Sequence, residues 1–397
     1  MFYFAFLLAI IFAFEIPSHE TNPNLDIRIP VVDMQDYYSL DKREAFLDTL
    51  YHAMREVGFF AVRNTGVDRK TIQNAYEQAE RFFKQESEYK NRSFVKELNG
   101  QRGFVPGETA KGSNRKDYKE FYHIAKELSP LESQKFNIPS NVWPDQFRFK
   151  EDLVSLFSEL EQYVGFLFEA IIEVINRSSE DKIPSDFFSK MTQNGHSLLR
   201  ALYYPALSKE SMHETLFWSA PHTDIDLLAI LPFATEKGLQ VEVNGEWLTV
   251  VVPEDAFIVN VGDMLENLTN GLFTSSRHRV IALEPGKDRF SMVLFVHPTD
   301  ETSLAPLLSC IEQTGGIQRY APGTRKEFLW ERLLELDIAP GLLEPYSKTG
   351  HAERQMRFGR ESPQVVQMLL DRGLASPELL ESLSHRETSA HGSDAAL

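Results

Sequence analysis

The spacing of apolar residues changes along the chain, and each change predicts a different element. Ile27 to Asp33 reads as a short strand and turn, and residues 41–57 as a helix that stops before Gly58. Gly58-Phe59-Phe60-Ala61-Val62-Arg63-Asn64 is strand-like, with a turn at Asn64-Thr65-Gly66. Over Arg69 to Lys84, the residues Ile72, Tyr76, Ala79 and Phe83 recur every three or four positions, which marks one face of a helix. Residues 87–148 hold Gly103, Gly107, Gly112, Pro130, Pro139 and Pro144, so loops should be frequent there. A long helix follows from Phe149 to Asn176, with Leu153, Leu156, Phe157, Leu160, Val164, Leu167 and Phe168 along one stripe.

After Ser197 the rhythm shortens. Leu198–Tyr204, Asp226–Leu231, Leu239–Val243, Trp247–Val252, Ala256–Val261, Arg279–Leu283 and Phe290–Val296 are brief apolar runs separated by Gly, Pro, Asn or Asp. That density predicts an antiparallel sandwich or barrel, not alternating βαβ units, and a fold class that is mainly β with flanking helices. Helical spacing returns from Arg325, with Phe328, Leu329, Leu333 and Leu334. From about Ser376 the chain is polar and reads as a loosely held tail. No internal repeat is visible.

Composition narrows the classes. The chain has 397 residues, 42% of them hydrophobic, and a formal net charge of -17, which fits a globular protein with a sizeable core. The acidic balance argues against an extended nucleic-acid surface, which needs basic residues to displace counterions. A single cysteine, Cys310, excludes an intramolecular disulfide framework and any cysteine-rich metal site. A metal centre would therefore use histidine and carboxylate. Met1 to Phe14 are all apolar, yet a helix that crosses a bilayer needs about 20 residues. The run also lacks a basic n-region and a clear cleavage site. No stable membrane span is expected; a cytoplasmic location is, with export by this segment as the alternative.

The chemistry gathers in the strand-rich part. In extended backbone, residues two apart share a face, so His222 and Asp224 of His222-Thr223-Asp224 can both enter a barrel interior. His278 lies just before another strand. Two histidines and a carboxylate on one face of a metal form the triad typical of non-haem Fe(II), with positions left open for other ligands. Arg289 and Ser291 of Arg289-Phe290-Ser291 share a face by the same argument. An arginine inside a small barrel needs an anion, and its fork suits a carboxylate. Tyr204 could add a hydroxyl. Taken singly, each has a bland reading: Asp224 as a loop cap, His278 as a structural histidine, Arg289 as a structural ion pair. Their joint occurrence favours a site. His123, His196, His213 and His297 have no partner at ligand spacing, although His213 lies near the approach. Phe217 and Trp218 either line a pocket or pack a loop. Asn260 and Asp263 read as strand-end and turn residues, and Gly238 as a turn glycine.

These residues also carry a resemblance. His222-Thr223-Asp224, Gly238-Leu239-Gln240-Val241, Asn260-Val261-Gly262-Asp263, Thr269-Asn270-Gly271, Ser275-Ser276-Arg277-His278-Arg279-Val280 and Arg289-Phe290-Ser291 resemble the isopenicillin N synthase-like branch of the iron and 2-oxoglutarate-dependent oxygenases. Ile29-Pro30-Val31-Val32-Asp33, Gly58-Phe59-Phe60, Arg102-Gly103-Phe104, Lys119-Glu120-Phe121 and Asn141-Val142-Trp143-Pro144 extend it over roughly residues 27–340. The resemblance implies a double-stranded β-helix (jelly-roll) core with a helical N-terminal region. It implies Fe(2+) held by His222, Asp224 and His278. It implies 2-oxoglutarate held by Arg289 and Ser291 with help from Tyr204, and a small-molecule substrate hydroxylated, desaturated or cyclised with O2; the alternatives are an oxidase of the isopenicillin N synthase type that uses no 2-oxoglutarate, an ethylene-forming variant, and a non-enzymatic binding module. Leu202 stands where many members have Asn, and Thr65 where a His is common. The expected organisation is an N-terminal extension or signal (1–26), an N-terminal dioxygenase region (27–150), a long helix and linker (151–190), the jelly-roll catalytic core (191–300), a C-terminal helical region (301–375) and a polar tail (376–397).

Overall fold

A computed structural model describes residues 26–107, 117–212 and 216–393. The apolar run at residues 1–14 and His213 lie outside the described residues.

Two sheets form the centre. The smaller has five strands in the order β1 (Asp26–Arg28), β10 (Glu246–Val251), β9 (Leu239–Val243), β12 (His278–Val280) and β7 (Ser219–His222). The larger has eight: β2 (Val31–Asp33), β3 (Phe59–Arg63), β11 (Phe257–Val261), β8 (Leu228–Leu231), β13 (Arg289–Val296), β6 (Leu198–Tyr204), β5 (Glu120–Ala125) and β4 (Gly103–Val105). All seven runs read as strands after Ser197 are strands here, and they pair antiparallel with one another. The N-terminal strands differ: β1 pairs parallel with β10, and β2 parallel with β3.

The fold class is nevertheless not mainly β. Helix accounts for 41% and strand for 19%, so the architecture is mixed α/β. Nor do the sheets close into a jelly-roll barrel: each is open, with β1 and β7 or β2 and β4 at its edges. The apolar runs between residues 198 and 296 are strands, but helix outweighs them on either side. Strand β5 lies in the stretch where frequent loops are expected. Its run Glu120–Ala125 is buried on both faces, so it lacks the polar alternation that marks a half-exposed strand.

The helices cover the outer face of the larger sheet. They include α1 (Arg43–His52), α2 (Arg69–Phe83) and α3 (Phe149–Arg177). The Asp68 side chain caps α2 by accepting from Lys70 N–H. Leu153, Leu156, Phe157, Leu160, Leu167 and Phe168 of α3 are buried as their spacing predicts. Helix α1 continues into a π-helical turn, Ala53–Val57, that ends at Gly58 with φ +70°. A Cβ at Gly58 would lie 2.1 Å from Thr274 O, so only glycine lets the chain pass this loop.

Alternation along the central strands separates core from site. Phe290, Met292, Leu294 and Val296 of β13 join the helix-covered core, while Arg289, Ser291, Val293 and Phe295 face the space between the sheets. On β6, Leu199 and Ala201 join that core while Arg200, Leu202 and Tyr204 face inward. A one-residue slip would exchange the two sets.

The C-terminal helices build an apolar core of their own around Leu334, Tyr346, Met356, Val365 and Leu369. The supposed polar tail belongs to it: Pro377–Ser393 is helical and Leu379 is fully buried. Buried polar contacts fasten this lobe to the sheets. Arg325 Nη1 donates to Asp300 Oδ1 at 2.5 Å, and His196 Nε2 lies 3.3 Å from the same oxygen. Burial pushes His196 down to about 4 and His297 well below the ordinary range, with the Arg325 charge adding to both.

Candidate metal centre

His222 ends β7 and His278 begins β12, and the two residues are direct partners across the antiparallel pair. Cross-strand neighbours sit close enough for their side chains to meet, and the ring centroids are 4.4 Å apart. Asp224 follows where the chain leaves β7. Its Oδ1 lies 3.6 Å from His222 Nε2 and its Oδ2 3.5 Å from His278 Nε2. One donor atom from each residue falls within 4.8 Å of the others, so the three could hold one metal ion.

The histidine rings are already oriented for that. His222 Nδ1 lies 2.7 Å from Ala220 O, and His278 Nδ1 lies 3.1 Å from Ser276 O. A carbonyl only accepts, so each Nδ1 carries a proton, and in the neutral ring Nε2 is left to present its lone pair inward. Burial, then the His278 charge, pushes His222 down to about 3, which keeps the ring neutral and fit to ligate. Burial raises the Asp224 carboxyl, but His278, His222 and Asn260 together outweigh it and hold it below the ordinary range. Asn260 Nδ2 donates to Asp224 Oδ2 at 3.0 Å. Asn260, expected only at a strand end, reaches the carboxylate because alternation along β11 turns Ile258 and Asn260 both into the inter-sheet chamber.

The arginine lies in the same chamber. Arg289 is buried, donates from Nε to Glu236 O at 2.9 Å and from Nη1 to Ser291 Oγ at 3.0 Å, and lies 4.9 Å from the centroid of the Tyr204 ring. Arg289 and Tyr204 are register partners across β13 and β6. Among the described residues Arg289 forms no ion pair, so a buried guanidinium awaits an anion. Tyr204 comes to it with its ring face. The chamber encloses about 70 Å³ and holds all six candidates: His222, Asp224, His278, Arg289, Ser291 and Tyr204. A larger cleft of about 1120 Å³ lies alongside. It shares Arg289, Leu231, Leu239 and Ile258 with the chamber but none of the three metal donors, so the chemistry belongs to the smaller space.

Of the other candidates, Trp218 is buried, donates to Pro205 O at 3.0 Å and packs on Tyr204, so it supports the site wall. Phe217 lies under the Arg279 guanidinium, 5.5 Å from its ring centroid, outside the chamber. His123 accepts from Arg200 Nε at 2.5 Å and stays away from the metal donors. Asp117 supports β7 from outside: its Oδ1 accepts the Ala220 N–H at 3.0 Å and its Oδ2 pairs with buried Lys119 at 2.8 Å.

Known proteins share this plan. Residues 29–146 match the family model described as non-haem dioxygenase in morphine synthesis N-terminal, and residues 195–298 match that of the 2OG-Fe(II) oxygenase superfamily. The chain is 30% identical to the 2-oxoglutarate-dependent dioxygenase traH of Penicillium crustosum, over 69% of this chain and 85% of that one. It is 30% identical to codeine O-demethylase of Papaver somniferum, over 72% and 76%. A Caulobacter crescentus protein assigned to the 2OG-Fe(II) oxygenase family superposes with a TM-score of 0.67 at 32% identity, over 77% of this chain and 98% of that one. The chain belongs to the 2-oxoglutarate- and Fe(II)-dependent oxygenase superfamily. It is a non-haem iron enzyme that uses Fe(II), 2-oxoglutarate and O2 on a small organic substrate. No helix among the described residues is long and apolar enough to cross a membrane.

Proposed function

We propose that the inter-sheet chamber oxidises an unactivated C–H bond of a small organic molecule, with hydroxylation as the default outcome, and that the enzyme falls in the isopenicillin N synthase-like branch. The observation that carries the reading is the coexistence, in one chamber, of three candidate metal donors and a buried arginine that forms no ion pair among the described residues. In this reading His222, Asp224 and His278 hold Fe(II) through two Nε2 atoms and a carboxylate oxygen. Arg289 and Ser291 hold the distal carboxylate of 2-oxoglutarate, and the Tyr204 ring supports the guanidinium. When bound, iron and 2-oxoglutarate supply the oxidising chemistry, with succinate and CO2 as coproducts.

The protein's part is geometric. The carbonyls of Ala220 and Ser276 fix both histidine tautomers, and Asn260 fixes the Asp224 carboxylate. Phe59, Leu231 and Ile258 supply apolar parts of the chamber wall, and charge contacts beside them are strengthened. We further propose that the regions 27–150 and 191–300 are the dioxygenase N-terminal region and the catalytic core. The demethylase and dioxygenase names of the relatives support oxidation of a small organic substrate.

The test is spectroscopic. Anaerobic Fe(II) followed by 2-oxoglutarate should give a weak charge-transfer band near roughly 500 nm, as bidentate chelation at a centre with open positions requires. His222→Ala should remove both the band and succinate release while leaving the fold intact. Iron binding without a band in the native enzyme would overturn the assignment of the cosubstrate site.

A further inference from the structure

Two acids on the short helix α4 (Asp263–Leu268) take no part in the chemistry described so far, yet they reach every segment that carries a metal donor. Asp263 Oδ2 accepts from Thr223 Oγ1 at 3.0 Å, and Thr223 is the residue between His222 and Asp224. The Asp263 N–H donates to Asp224 O at 2.8 Å. Asp263 Oδ1 accepts from Ser275 Oγ at 2.7 Å, and Glu266 Oε2 accepts from the Ser275 N–H at 2.6 Å. Ser275 lies three residues before His278. Residues 223–225 and 274–277 have no regular structure, so no sheet ladder fixes them. These hydrogen bonds share that work with others: Thr274 N–H and Oγ1 donate to Met54 O and Arg55 O, Ser276 Oγ donates to Val57 O, and Arg277 O accepts the Glu242 N–H.

The helix is gripped in turn from the C-terminal side. Arg332, on α5 (Arg325–Glu335), donates to Asp263 Oδ2 at 2.8 Å, and its side chain is only 13% exposed. The Tyr320 hydroxyl donates to Glu266 Oε1 at 2.6 Å, and the Arg360 guanidinium lies 3.4 Å from the Tyr320 ring centroid. Arg332, Tyr320 and Arg360 all fall beyond residue 298, where the match to the superfamily model ends. Charge-assisted bonds that share acceptors in a half-buried place are stiff. Metal affinity depends on donor positions held to within about 0.2 Å.

We propose that Asp263 and Glu266 are positioning residues for the metal centre, and that the C-terminal lobe sets its metal affinity by holding them through Arg332 and Tyr320. The proposal rests on the reading of His222, Asp224 and His278 as the iron ligands. Its test titrates Co(II) into the full chain and follows the visible absorption of the bound ion, together with the unfolding midpoint.

Arg332→Ala and Tyr320→Phe should each weaken Co(II) binding by about 10- to 100-fold, the usual effect of removing support behind a ligand. Both should alter the bound-ion spectrum, and Arg332→Lys should restore part of the affinity. Tyr320→Phe removes a single oxygen and carries the test if Arg332→Ala fails to fold. Lower unfolding midpoints with unchanged affinity and spectrum would overturn the proposal, because a merely structural role predicts that pattern. Native protein that fails to bind Co(II) would instead overturn the ligand assignment beneath it.

Discussion

At the scale of single residues, Arg289 joins fold to chemistry. Its guanidinium is buried, aligned by Glu236 O and Ser291 Oγ, and forms no ion pair among the described residues. Hydrogen bonds to charged groups contribute about 1.5–3 kcal/mol, so Arg289→Ala should raise the half-saturating 2-oxoglutarate concentration by about 10- to 100-fold. Co(II) affinity should stay unchanged. Cosubstrate titrations followed by succinate release check it, and an unaltered dependence would remove Arg289 from the site. The period-two pairs His222/Asp224 and Arg289/Ser291 were legible because extended backbone puts alternate residues on one face. Asp263 and Glu266 were not. Their partners Thr223 and Tyr320 lie 40 and 54 residues away, and no local pattern encodes a contact between distant loops.

Elements became legible where burial is one-sided. Helices α2 and α3 carry a clear period because one face meets the core and the other does not, and the strands after Ser197 are legible as short apolar runs between Gly, Pro, Asn and Asp. Strand β5 carries neither signal, since Glu120 and His123 interrupt its apolar run, and the π-helical turn after α1 continues the helical spacing of the run before it. That turn delivers Gly58 to the loop that leads to His278, with Thr274 O in the way of any Cβ and φ at +70°. Gly58→Ala should therefore destabilise the protein by more than about 1 kcal/mol, the upper end of the gain such a change gives at compatible sites. A lower urea midpoint at constant m-value would show it. A midpoint equal to the native one would mean that the loop yields at no cost.

For the whole molecule, acid should be the weak side. His196 and His297 are held neutral in the fold, by burial and then by the Arg325 charge, where the lobe meets the sheets. Unfolding returns them to an ordinary value near about 6.5. The unfolded chain thus binds more protons below that pH, and the stability from keeping them neutral is full above it. For His196 that stability is lost as the pH falls toward about 4. Urea midpoints should drop between pH 7 and pH 5, and His196→Gln should flatten the slope; an equal slope in the variant would exonerate His196. Cys310 is the chain's only thiol, wholly enclosed in the main core, and burial pushes it up to about 12. A thiol that protonated and hidden resists both alkylating reagents and stray oxidant from uncoupled turnover. A cysteine engineered onto the surface would therefore be the single reactive handle, and fluorophores or spin labels could report on the lobe without background from the native chain.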